Sequence, residues 1–90
     1  VDEAAFREAL VARGGGVPTL VHWAAGYARV EHSHAFDAFG LVVAGSFTLT
    51  TSDASRVLRA GDSFELAAGI AHAESAPEGA SVLVAALAPR

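Results

Sequence analysis

The sequence predicts an all-β fold: a small antiparallel sandwich or barrel with one short helix in front of it. Three observations lead there. From Val17 onward the apolar pattern has a period close to two, and eight short runs recur between breaks that carry Gly, Asp or Ser. The spaces between those runs leave almost no room for helices. That combination is the signature of short strands joined by tight turns.

The elements follow in order. Asp2 to Arg13 reads as the helix, with Asp2 as its cap, Phe6 and Leu10 as a narrow apolar stripe that could dock on a sheet, and Gly14-Gly15-Gly16 as its end and as a flexible joint. The chain is accordingly divided into a helix and glycine linker, residues 1–16, and a barrel, residues 17–90. Strands are expected at Thr19–Trp23, Tyr27–His32, Gly40–Ala44, Ser46–Thr50, Ser55–Leu58, Ser63–Leu66, Ile70–Glu74 and Ser81–Leu87. Gly26, Gly45, Gly61, Gly69 and Gly79 fall at or near the breaks. Thr51-Ser52-Asp53 reads as a hairpin loop, and Ala76-Pro77-Glu78-Gly79 as a turn with Pro and Gly well placed. Trp23, Phe36, Phe47 and Phe64 stand at strand period and are expected in the barrel wall or core.

Composition narrows the function classes. Ninety residues make one domain, of which 52% are hydrophobic and 18% charged. So few charges on so small a globule imply that part of the apolar surface is covered by self-association, and a homodimer is expected. The net charge of −4 and six scattered Lys and Arg leave no basic stripe for nucleic acid or an anionic membrane. Without cysteine there is no disulfide, thiolate metal site or cysteine nucleophile. The sequence has no apolar stretch of about 18 residues and no signal-like leader. A cytoplasmic protein acting on a small molecule is the expectation.

The chemistry concentrates in the histidines. His32 and His34 are one residue apart, so on a strand both rings leave the same face and could meet one metal ion. By itself that spacing also fits two histidines on the wet face of a strand. His72 follows two turn signals, Gly61-Asp62 and Gly69, that could bring a third imidazole back across a barrel. Three neutral imidazoles suit Fe, Mn, Ni, Cu or Zn and leave positions open for water or substrate. His22 has no such company and reads as an ordinary surface or core residue.

In these segments the chain resembles the RmlC-like cupin superfamily. The first cupin motif, G-x5-H-x-H-x3-4-E-x6-G, is matched by Gly26, His32, His34 and Gly45 in register. The second, G-x5-P-x-G-x2-H-x3-N, is matched by Gly61, Gly69 and His72. The resemblance spans roughly Val17 to Leu87 and implies a cupin barrel of the jelly-roll type with a metal held by His32, His34 and His72. Three positions depart from the pattern: Ala38 replaces the glutamate, Ala67 the proline and Ala76 the asparagine. The usual fourth ligand is thus missing in standard register, which leaves either a three-histidine site or a substitute carboxylate.

Two carboxylates are candidates for that substitute or for acid–base work. Glu74 lies two residues after His72 and faces the same side of a regular strand; it could equally be an ion-pair partner of Arg29 or Arg90. Asp37 is one residue off the glutamate register and would turn inward only through a bulge. Such a bulge would also bring Phe39, Leu41 and Val43 inward; the alternative leaves Phe39 and Leu41 on the outer face, covered by a partner subunit, and the sequence alone does not choose between the two. The resemblance admits a small metal-dependent enzyme of dioxygenase or isomerase type, a non-catalytic module binding a small ligand or metal, or a structural remnant, and the fold alone does not choose among them.

Overall fold

In a computed structural model of the chain, described for residues 2–88, the order is α1 (Glu3–Ala12), β1 (Thr19–Trp23), β2 (Tyr27–His32), β3 (Ala38–Thr51), β4 (Ser55–Arg59), β5 (Ser63–Leu66), β6 (His72–Ala76) and β7 (Ala80–Ala86). All strand pairs are antiparallel, and β3 is shared by two four-stranded halves. The order is β1-β7-β3-β5 in one half and β2-β6-β3-β4 in the other. Residues 38–45 of β3 pair with β7 and residues 48–51 with β6, so one strand folds the sheet onto itself into a curled, barrel-like sandwich. Among the described residues no helix is long and apolar enough to cross a membrane. Arg90 lies outside the described residues.

The predicted runs Gly40–Ala44 and Ser46–Thr50 are therefore one strand. Gly45 bends it without ending it. Its φ is +73°, and Ser46 N–H donates to Gly79 O just past the bulge at Val43 in the pairing with β7. A Cβ at Gly45 would lie 2.3 Å from Gly79 O, so both the handedness and the close approach of two backbones require glycine here.

Side-chain alternation then sorts the core into two layers. Between the halves lie Ala38, Val42, Phe47, Leu49, Leu58, Phe64, Leu66, Ala76, Ala80 and Val82. Phe47 meets Phe64 and Trp23 edge-on, and Trp23 stacks on Tyr27 at 4.7 Å. Gly40 leaves the space that the Phe64 ring fills, since a Cβ there would sit 2.2 Å from Phe64 Cζ. Leu41, Leu83, Ala85 and Leu87 form a second cluster with Phe6 and Leu10 of α1, against which Phe39 and Val43 pack. Phe39, Leu41 and Val43 thus stand on the outer face, as the register without an inward-turning bulge at Asp37 requires, and the chain's own helix packs over them. Of the two alternatives open in the sequence, the outward placement of Phe39 and Leu41 is the one found, with α1 packed over them.

The helix is fixed to the barrel at several points. Asp2 accepts from Ala5 N–H at 2.8 Å as the N-cap. Arg13 pairs with Glu65 of β5 and lies over the Phe39 ring. Gly15 N–H donates to Leu10 O and Gly16 N–H to Ala86 O, both at 2.9 Å. The triglycine read as a flexible joint is a hydrogen-bonded connection. Phe36 also departs from expectation: it is 42% exposed and lies against His34 instead of in the core.

Candidate metal centre

The site begins with a bulge in β2. Tyr27 pairs with Ala76 and Arg29 with Glu74, whereas His32 pairs with His72, so β2 holds one more residue than β6 between the last two pairs. Directly paired residues share a face of the sheet. Ala76 belongs to the inner core, so Tyr27, Arg29 and His32 all stand on the inner side. Without the extra residue, alternation from Tyr27 would turn Glu31 inward and His32 outward. His34 follows two residues later, beyond the strand, where its carbonyl accepts from Gly69 N–H at 2.9 Å. Ile70 N–H donates to Ala67 O in the same turn, which carries the chain into His72.

The three rings converge. Centroids are 4.3 Å apart for His32 and His72, 5.0 Å for His34 and His72, and 5.2 Å for His32 and His34. One ring nitrogen of each lies within 4.8 Å of the other two. His72 is fully buried, and the other two are half-buried.

Backbone carbonyls set the tautomers. His32 Nδ1 lies 3.0 Å from Val30 O and His72 Nδ1 3.0 Å from Ile70 O. A carbonyl only accepts, so each Nδ1 carries a proton, and in its neutral form each ring presents a bare lone pair at Nε2. Among the described residues those two buried Nε2 atoms have no hydrogen-bond partner. Leaving such acceptors dry and unpaired costs about 1–3 kcal/mol each, a cost that a cation at their meeting point removes. Burial, and then the like charges of His72 and His32, lower the His34 pKa, so that ring too is held neutral and able to donate its lone pair. The cluster is compatible with metal binding, and its residues fit such a group.

The carboxylates fall in different places. Glu74 Oε1 lies 3.3 Å from His32 Nε2 and is largely buried. With His32 protonated at Nδ1 both of these atoms are acceptors, so the contact favours a cation or a proton between them. Asp37 accepts from Ala68 N–H at 2.7 Å through Oδ1, and its carbonyl accepts from Leu87 N–H. Its carboxylate thus braces the turn that precedes His72. Ala38, where the motif glutamate would stand, is buried among apolar side chains. His22 pairs with Ser81 on the outer face, apart from the cluster.

Two polar residues beside the site were not singled out from the sequence. Thr51 pairs with His72 across β3 and β6, and Arg56 pairs with Leu49, which is itself paired with Glu74. Leu49 and Leu58 are core residues, so Arg56 shares their inner face at the barrel mouth. The alternation Arg56-x-Leu58 carried that signal. Thr51 and Arg56 line a cavity of about 270 Å³ together with Leu49, Ala54, Glu65 and Leu66.

A family model described as the cupin domain matches residues 19–86. Among solved structures, a cupin superfamily protein from Desulfitobacterium hafniense superposes with a TM-score of 0.71 at 23% identity, covering 78% of this chain and 64% of that one. An RmlC-like cupin from Shewanella frigidimarina gives 0.68 at 25% identity, over 82% of this chain and 68% of that one. KdgF from a Halomonas species gives 0.66 at 25% identity, over 78% and 68%. The chain therefore spans somewhat less than two thirds of the Desulfitobacterium protein. No curated protein matches it.

Proposed function

Because the chain belongs to the cupin domain family, we propose that it is a small metal-dependent cupin in which His32, His34 and His72 hold one divalent ion and a small molecule binds beside it. The observation that carries this reading is the pair of buried Nε2 atoms on His32 and His72 that make no hydrogen bond and lie in one cluster with His34, with Glu74 Oε1 beside His32 Nε2. Fe, Mn, Ni, Cu and Zn all suit imidazole donors. When bound, such an ion supplies Lewis-acid polarisation of a ligand oxygen and open positions at which a ligand can sit.

The protein's own groups do the rest. Val30 O and Ile70 O fix the tautomers of His32 and His72, as partners of ligating histidines commonly do. Glu74 is placed to hold or move a proton at Oε1 beside the bound molecule, which supports an enzymatic role of isomerase or dioxygenase type over simple metal storage. Asp37 acts as a brace for the His72 turn. A second copy of the chain is the natural partner, supported by Val17 and Leu20, exposed by 90% and 61% just before and within the edge strand β1.

Elemental analysis of purified protein, before and after incubation with each of the five metals, tests the reading. One equivalent per chain is expected, with His34→Ala losing most of it while keeping its far-UV circular dichroism. A wild-type chain that takes up none of the five refutes the reading.

A further inference from the structure

The geometry points to an anion-binding subsite at Arg56, so that the molecule held at the metal carries a carboxylate as its second anchor. This inference rests on the metal reading and extends it to the class of ligand.

Sheet register places the subsite. The inner face of β2, β6, β3 and β4 carries one row of directly paired residues, Arg29, Glu74, Leu49 and Arg56, one step in from the row of His32, His72 and Thr51. Adjacent strands lie about 4.8 Å apart, so Arg56 starts two strands away from the β6 histidine and its long side chain spans part of that distance. Thr51 joins the two places: it pairs with His72 and lines the same cavity as Arg56. Metal cluster and cavity are therefore neighbours on one inner face at one end of the barrel.

The chemistry of that cavity is that of an anion receptor. Leu49 and Leu66 make its floor apolar. Among the described residues the Arg56 guanidinium has neither an ion-pair nor a hydrogen-bond partner. Glu65 also borders the cavity, but its carboxylate is taken by Arg13 from the far side. A guanidinium at the edge of an apolar cavity presents a planar fork that a carboxylate matches with two hydrogen bonds. One guanidinium in the cavity lining, in a chain of net charge −4, suits a monoanionic carboxylate better than a dianionic phosphate. The volume, about 270 Å³, admits a small ligand.

Two five-carbon acids provide the test. Glutarate can place one carboxylate at the metal and the other at Arg56, whereas valerate has the first and lacks the second. With the zinc-loaded protein, calorimetry should show glutarate binding at least about tenfold more tightly than valerate, a preference worth about 1.4 kcal/mol. Arg56→Gln should bring the ratio close to one while leaving zinc content and valerate binding unchanged, and Arg56→Lys should retain only part of it. A ratio near one in the zinc-loaded wild type, or a ratio that survives Arg56→Gln, overturns the subsite and leaves the metal reading standing. A wild type that takes up none of the five metals overturns both, because the ligand then has no first anchor.

Discussion

Replacing Phe6 with alanine should destabilise the protein by about 3–5 kcal/mol, the range for an aromatic removed from a closed core. The structure explains why the value belongs there. Phe6 is fully buried, its ring lies 4.8 Å from that of Phe39, and it packs in one cluster with Leu10, Leu41, Leu83, Ala85 and Leu87. A buried aromatic removes about 150–250 Å² from water, and at about 25 cal/mol per Å² that alone amounts to several kcal/mol. For a domain of this size each kcal/mol lowers Tm by about 4–8 °C, so the variant should melt at least about 12 °C lower. Urea unfolding followed by circular dichroism measures the change through the midpoint, with an unchanged slope if the unfolded reference is the same. The metal cluster lies on the inner side, away from the helix, so metal stoichiometry of the folded variant should remain that of the wild type. A loss below about 1 kcal/mol would refute the argument, because it would mean that the helix does not close the outer face of the sheet.

Two further outcomes are expected. Gly45→Ala should cost about 1–2 kcal/mol for a left-handed residue and about 1–3 more for the contact with Gly79 O; Gly26→Ala, with φ of +88° and open space around it, should lose only the first part, and equal urea midpoints for the two would contradict the close approach. The His34 pKa is lowered in the folded protein, so the stability tied to its neutral form is present above its ordinary value of 6.5 and is lost as pH falls through the lower folded value. In metal-free protein the urea midpoint should fall between pH 7.5 and 5, and His34→Gln should flatten that slope; an unchanged slope would contradict it.

Much of this was legible in the sequence, for identifiable reasons. Period-two alternation and glycine-bearing breaks located the strands because half-buried strands must alternate, and the spacing of Gly26, His32, His34, Gly61, Gly69 and His72 carried the cluster. Gly45 misled because a residue with positive φ marks a break in most strands, while here it bends one continuous strand between two halves. The sequence does not decide the side on which Phe39 and Leu41 stand, since an outer apolar face looks the same whether a helix of the chain or another molecule covers it. The bulge that turns His32 inward leaves no local mark, because it is fixed by pairing with β6, whose His72 lies about forty residues beyond His32. Arg56 stands exposed on β4, and only its pairing with Leu49 shows that it shares the inner face at the barrel mouth.

X-ray absorption at the metal edge of zinc-loaded protein bears most directly on the central claim. Three neutral imidazoles converging on one ion should appear as three nitrogen donors at about 2.0–2.1 Å, with the outer-shell scattering typical of imidazole rings, and His72→Ala should remove one ring from that pattern or abolish binding. A spectrum fitted by oxygen donors alone, or one that His72→Ala leaves unchanged, would contradict it.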